Sequence, residues 1–156
     1  MRETDAMSTP RTIAQRRTDT LAVLERQGSG WLATAGPDAT PHVIAVSALW
    51  TGDTLVIATR EGTPTARNLD AGGRARLALG TPDDVIMVDA TVARTQPAIG
   101  ADAATTSAFV AAMGWDPAEE GADWRYFTLR PTRVQAYRGY GELGDHVLMT
   151  DGTWRA

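Results

Sequence analysis

Turn signals cut this chain into short pieces. Gly36-Pro37-Asp38, Gly52-Asp53, Gly72-Gly73, Thr81-Pro82-Asp83-Asp84 and Asp151-Gly152 each combine residues that fix φ or accept positive φ. The runs between them are too short for a bundle of helices, and several have the period of a strand. Arg74 to Gly80 alternates, with Ala75, Leu77 and Leu79 on one face and Arg74 and Arg76 on the other. Trp31–Ala35, Pro41–Trp50, Thr54–Arg60, Val85–Arg94 and Arg125–Arg138 read as further strands. Tight turns join antiparallel neighbours. Pro131 cannot donate to a ladder, so it marks an edge or a bulge in the last run.

Helices are inserted between these strands. Thr12 to Gln27 places Ile13, Leu21 and Leu24 on one face, with Arg16, Arg17, Glu25 and Arg26 elsewhere and Gly28 as its stop. Pro64 to Ala71 forms a short helix ended by Gly72-Gly73. Asp102 caps a longer one that runs to Met113 and stops at Gly114. Trp115 to Asp123 reads as an acidic loop, and Val147–Thr150 and Trp154 complete the chain. The expected architecture is mainly β (α+β): six antiparallel strands in a closed or partly closed barrel, with peripheral helices. No βαβ alternation or GxGxxG occurs, which excludes a Rossmann reading.

At 156 residues the chain fits one domain, expected at 12–156 behind a loose segment at 1–11. Cysteine is absent, which excludes disulfides, thiolate zinc and a cysteine nucleophile. Two histidines, His42 and His146, argue against a multi-histidine metal site, so no metal is expected. A formal charge of -4 argues against nucleic acid as a partner. All 15 basic residues are arginine. Residues 1–17 lack the apolar core of a secretory signal, and Val43–Trp50 is too short to span a bilayer. No membrane is expected as a partner, and the expected location is cytoplasmic.

The run Pro41 to Trp50 breaks the usual alternation. Both of its faces, His42/Ile44/Val46/Ala48/Trp50 and Val43/Ala45/Ser47/Leu49, are mostly apolar. A strand half exposed to water alternates apolar with polar. Something must therefore cover both sides: the barrel interior on one, and a partner subunit, a flat ligand or a helix on the other.

The densest chemistry lies between Thr59 and Asn68. Thr63 is a suitable N-cap and Pro64 suits the first helical position, so a helix N-terminus with open N–H groups follows Arg60 directly. Thr59 and Thr65 add hydroxyls, and Arg67 adds a second permanent cation one turn on. Cations, hydroxyls and backbone donors together suit a phosphate. Capped surface helices with exposed arginines have the same local pattern.

Several pieces occur in a recognisable order: Trp31-Leu32-Ala33-Thr34, Pro41-His42-Val43, Gly52-Asp53-Thr54-Leu55, Arg67-Asn68-Leu69 with Arg74 to Leu79, Asp84 to Val88, Gly114-Trp115, Arg130 to Val134, and Leu148-Met149 with Asp151 to Trp154. This set, spanning Thr12 to Trp154, resembles the FMN- and deazaflavin-binding split β-barrel superfamily, the pyridoxamine 5′-phosphate oxidase-like fold. The resemblance implies a homodimer with flat cofactors at the subunit interface. It implies that backbone groups near Val46, Ser47 and Ala48 bond the ring's pyrimidine edge. Thr59, Arg60, Thr63, Thr65, Arg67 and Asn68 would surround the phosphate. Similar proteins often carry lysine where Thr65 stands. The oxidase proper has basic residues at Ile44 and Leu49, so these differences argue against pyridoxamine phosphate oxidation itself. Gly144-Asp145-His146 also replaces a more usual Gly-Arg-Thr.

The function so implied is an oxidoreductase that transfers a hydride between a small molecule and coenzyme F-420, with FMN as the next candidate. No catalytic side chain is singled out, because the cofactor carries the chemistry. Arg16 and Arg17 are the candidates for the extra cations that the acidic tail of F-420 needs. Trp31, Trp115, Trp124 and Trp154 read as core or interface anchors, one of which could wall the ring. The alternative is a non-catalytic flavin, F-420 or haem carrier on the same scaffold.

Overall fold

The computed structural model describes residues 9–26 and 29–156. Helix α1 (Ile13–Glu25) opens the described chain under a reciprocal cap. The Thr12 hydroxyl accepts from the Gln15 N–H, and the Gln15 side chain accepts from the Thr12 N–H. The expected stop at Gly28 lies outside the described residues. Of the segment expected to be loose, residues 1–8 lie outside the description and Arg11 is tied to Glu142.

Strands β1 (Ser29–Ala35), β2 (Pro41–Ser47), β3 (Leu49–Trp50) and β4 (Leu55–Arg60) precede helix α2 (Pro64–Gly72). Then come β5 (Arg74–Thr81), β6 (Asp84–Pro97), α3 (Ala103–Met113) and α4 (Pro117–Glu120). The chain ends with β7 (Trp124–Tyr137), α5 (Gly139–Leu143), β8 (Val147–Thr150) and β9 (Thr153–Trp154). All the pairings are antiparallel, in the order β2-β1-β5-β6-β7-β4-β3, with β8 on β7 and β9 on β8. The sheet curls into a split β-barrel. Among the described residues it has nine strands, more than the six expected, because the expected second strand divides and two short strands follow α5.

That division creates the split. β2 pairs with β1 as far as Ser29↔Ser47, and the chain then passes through Ala48 into β3, which pairs with β4 at Leu49↔Val56. One continuous apolar run thus belongs to both ends of the curled sheet. The expected double coverage holds at its far end: Trp50 faces the main core and Leu49 a second core beneath α3. Along β2 the chain's own elements cover one face in part and leave the other open: His42, Ile44 and Val46 are half-buried, and Pro41, Val43, Ala45 and Ser47 are exposed.

The main core fills the barrel with Leu32, Ile57, Leu77, Val88, Phe127, Leu129 and Leu148. The second core packs Phe109 of α3 onto Val56 and Tyr126, the outward side chains of β4 and β7. Pro131 sits at a bulge. Ala90 pairs with Pro131 and Asp89 with Arg133, leaving Thr132 extra, at the point where β7 changes neighbours from β4 to β8. α5, over Gly139–Leu143, is a helical turn that no sequence signal marks, with Gly139 and Glu142 buried at this end of the barrel.

Candidate functional site

A cleft of about 330 Å³ opens where the barrel is split. One lip is β2 from Ile44 to Ser47, and the other is Ala58, Thr59 and Arg60 of β4 with Thr63. β2 ends the sheet path, so the N–H and C=O of every second residue along it point away from β1, without a ladder partner among the described residues. Phe109, Trp115 and Trp124 form the wall. Their rings lock edge to face, with centroids 5.6 Å apart for Phe109–Trp115 and 5.1 Å for Trp115–Trp124. The cleft is therefore apolar on its wall and polar along both lips.

The polar end is built by α2. Thr63 has extended backbone (φ -70, ψ 154), and Pro64 starts the helix. The Thr63 hydroxyl accepts from the Ala66 N–H at 3.2 Å and donates to the Arg60 carbonyl at 2.9 Å. Arg67 donates its N–H to the Thr63 carbonyl. Pro64 has no N–H, so the Thr65 N–H is the open donor of this turn among the described residues. The Thr59 hydroxyl stands 3.3 Å from that of Thr63. Arg60 donates Nε to Asp123 Oδ2 at 2.9 Å, and its side chain is 58% exposed.

Val46, Ser47, Thr59, Arg60 and Thr63 thus share one cleft. Ala48 and Thr65 are buried and do not line this cleft. Arg67 and Asn68 line a neighbouring groove of about 610 Å³ on the other flank of α2, with Asp38 and His42. Asn68 is engaged there, donating Nδ2 to the Thr34 hydroxyl at 3.1 Å. The helical spacing that suggested Arg67 beside Thr63 is real, but the Arg67 side chain opens to the other flank.

Arg16 corrects an expectation. It was read as lying off the buried face, a candidate cation for an acidic tail, yet its side chain is 4% exposed. Nη1 donates to the carbonyls of Ala136 at 3.2 Å and Asp145 at 2.6 Å, so it ties α1 to the end of the barrel. Arg17 lies over the ring of Trp154, 5.2 Å from its centroid. His146 stands with Nδ1 2.6 Å from the Leu143 carbonyl, and its neighbour Asp145 pairs with Arg155. The bond from Arg155 lowers the Asp145 carboxyl below its ordinary range. Among the described residues no group of three His, Cys, Asp or Glu side chains could hold a metal.

Two residues, one on the cleft wall and one paired with Arg60 beside it, carry little signal in the sequence. Phe109 is the one aromatic of α3, a helix rich in alanine and threonine, and its ring position was the available signal. Asp123 reaches Arg60 from 63 positions away and carries no local signal at all.

Residues 18–138 match the family described as pyridoxamine 5′-phosphate oxidase. Among solved structures the chain is similar to an F420 reductase: 28% identity, 72% of this chain and 93% of that one covered, TM-score 0.60. It is also similar to a haem-binding protein from Mycobacterium smegmatis (19% identity, 93% and 60% covered, TM-score 0.65). An FMN-binding protein from Syntrophomonas wolfei subsp. wolfei gives 12% identity, 79% and 88% covered, and TM-score 0.59. At such identities the last two share the fold alone. No curated protein sequence matches.

Proposed function

Because this chain belongs to the pyridoxamine 5′-phosphate oxidase family, we propose that it holds a flavin-type cofactor in the cleft between β2 and β4 and acts as an oxidoreductase on a small molecule. The observation that carries this is the cleft itself: an unpaired strand edge, an aromatic wall, a cation and the N-cap hydroxyl of α2 in one cavity. That set fits a flat polar ring with an anionic substituent. Outward N–H and C=O groups of Val46, Ser47 and Ala48 complement the pyrimidine edge of such a ring. Arg60, the Thr59 hydroxyl and the Thr65 N–H complement its phosphate, and Trp115 and Trp124 exclude water from its face.

The bound cofactor supplies the hydride chemistry; the protein binds, orients and shields it. Coenzyme F-420 is favoured, supported by the F420 reductase at 28% identity, with FMN next. The missing lysine at Thr65 leaves Arg60 as the main counter-charge of the cleft. Arg67 and Asn68 would take part only if the anionic part extends over the N-terminus of α2 into the neighbouring groove.

The homodimer belongs to the same proposal. Trp31 and Val43 are 60% and 55% exposed on the same side of the β1–β2 ladder, with Ala45 opposite Trp31. An uncovered apolar sheet face of this kind is what a second copy would cover.

A haem carrier is the second reading, supported by the haem-binding neighbour. The lining of the cleft opposes it, since that lining contains no histidine, cysteine, methionine or tyrosine to ligate iron. Titration of the purified protein with F-420, FMN and haem tests the choice. The expected order is F-420, then FMN, with haem weakest. Affinity for haem alone would overturn the proposal, and flavin binding without turnover by any acceptor would make the protein a carrier.

A further inference from the structure

We propose that Asp123 is a positioning residue for Arg60: it fixes the guanidinium at the mouth of the cleft so that the free fork meets a phosphate on the bound ligand. The inference rests on the reading of this cleft as a flavin-type site.

Asp123 touches the end of β4 twice. Its carboxylate accepts from Arg60 Nε at 2.9 Å, and its backbone carbonyl accepts from the Glu61 N–H at 2.8 Å. The register of the two strands brings it there, since Arg60 pairs with Trp124. The segment between β6 and β7 is closed on itself by the Ala98 N–H, which donates to the Trp124 carbonyl at 2.9 Å. The same segment carries the ring wall of Phe109 and Trp115. Asp123 therefore couples the wall to the polar lip.

Gly121 makes the room. Its φ is 151, and a Cβ there would stand 2.9 Å from Asp123 Oδ1. A side chain at 121 would push the carboxylate from its place.

The bond to Arg60 uses Nε alone. Among the described residues neither Nη group has a protein partner. The edge that forks onto a phosphate is thus left open, and the side chain that carries it is held still. An anion does not have to displace Asp123 to reach it. The pair is exposed at 58% and 40%, so the carboxylate's own repulsion of an anion is screened by water. The loss of rotamer freedom that binding would otherwise impose on Arg60 is removed in advance.

The test compares FMN with riboflavin, which differ only in the phosphate. Dissociation constants are measured for wild type, Asp123→Ala, Asp123→Asn, Arg60→Ala and the double variant Arg60→Ala/Asp123→Ala. Asp123→Ala is expected to weaken FMN about three- to tenfold and to leave riboflavin unchanged. Asp123→Asn keeps an acceptor for Nε and restores most of the loss. Removing Asp123 after Arg60→Ala adds nothing. Equal losses for both ligands would reduce Asp123 to loop structure, and tighter FMN binding would make it a competitor of the phosphate; either result overturns the inference alone. If wild type binds F-420 but neither of these, the same variants are measured with F-420, and unchanged affinity in Asp123→Ala overturns the inference; if it binds none of the three, the flavin-type reading of the cleft fails and this inference fails with it.

Discussion

Glu142 is buried to 4% exposure and gripped at both oxygens by Arg11, 131 positions earlier. Arg11 donates Nε to Oε1 at 3.0 Å and Nη2 to Oε2 at 2.8 Å. The N–H groups of Arg11 and Arg138 add bonds of 2.8 and 2.7 Å. Arg11 also pairs with Asp19, and Arg138 with Asp84, so the latch joins the start of α1, the start of β6 and α5. Desolvation alone would raise the Glu142 carboxyl. The Arg11 side chain, then the two backbone donors, outweigh it and hold it at about 2.

The sign of the pH effect follows. The folded value lies below the ordinary 4.5. The stabilisation is thus complete above pH 4.5 and is lost as pH falls towards 2, a loss on the order of 3 kcal/mol. Chemical denaturation between pH 6 and pH 2 should show this decline for wild type and a flatter profile for Glu142→Gln. Glu142→Ala at pH 7 should cost about 3–5 kcal/mol, because it leaves Arg11 partly buried beside an empty site. A variant as stable as wild type would show that the latch is ornamental.

Arg60→Ala should weaken FMN or F-420 by roughly ten- to a hundredfold, the effect of one charge-assisted contact of about 1.5–3 kcal/mol. Arg67→Ala should weaken it less, since its side chain opens to the neighbouring groove. Calorimetric titration separates the two. Equal losses would place the phosphate across the N-terminus of α2.

Sedimentation of wild type at micromolar concentration should give a dimer. Trp31→Glu or Val43→Glu should give folded monomers, because each adds a charge to the exposed apolar face of β1 and β2. Ala48→Glu should instead unfold the chain, because Ala48 is 5% exposed within the barrel core. A monomeric wild type would remove the homodimer.

Trp115 and Trp124 should report the ring directly. Flavin binding should quench tryptophan emission, and Trp115→Phe/Trp124→Phe should abolish most of that quenching while the fold persists, since phenylalanine keeps the edge-to-face packing with Phe109. Undiminished quenching in the double variant would place the ring outside this cleft.

The sequence by itself determined whatever is written within one turn of helix or one strand. Thr12 and Asp102 cap their helices, Thr63-Pro64 starts α2, Gly73 and Gly114 end α2 and α3 in the left-handed region, and Pro131 sits at its bulge. These outcomes depend on neighbours up to four positions away, and such signals survive without the rest of the molecule. Tertiary structure decided the remainder. It broke Pro41–Trp50 at Ser47 because the two ends of a curling sheet needed different partners. It buried Arg16 because carbonyls of Ala136 and Asp145 waited 120 and 129 positions on. It separated Arg67 from Arg60, and it gave Arg60 the carboxylate of Asp123. The new pairings of Arg16 and Arg60 join residues far apart in the chain, and only closure of the barrel brings their atoms within hydrogen-bond reach.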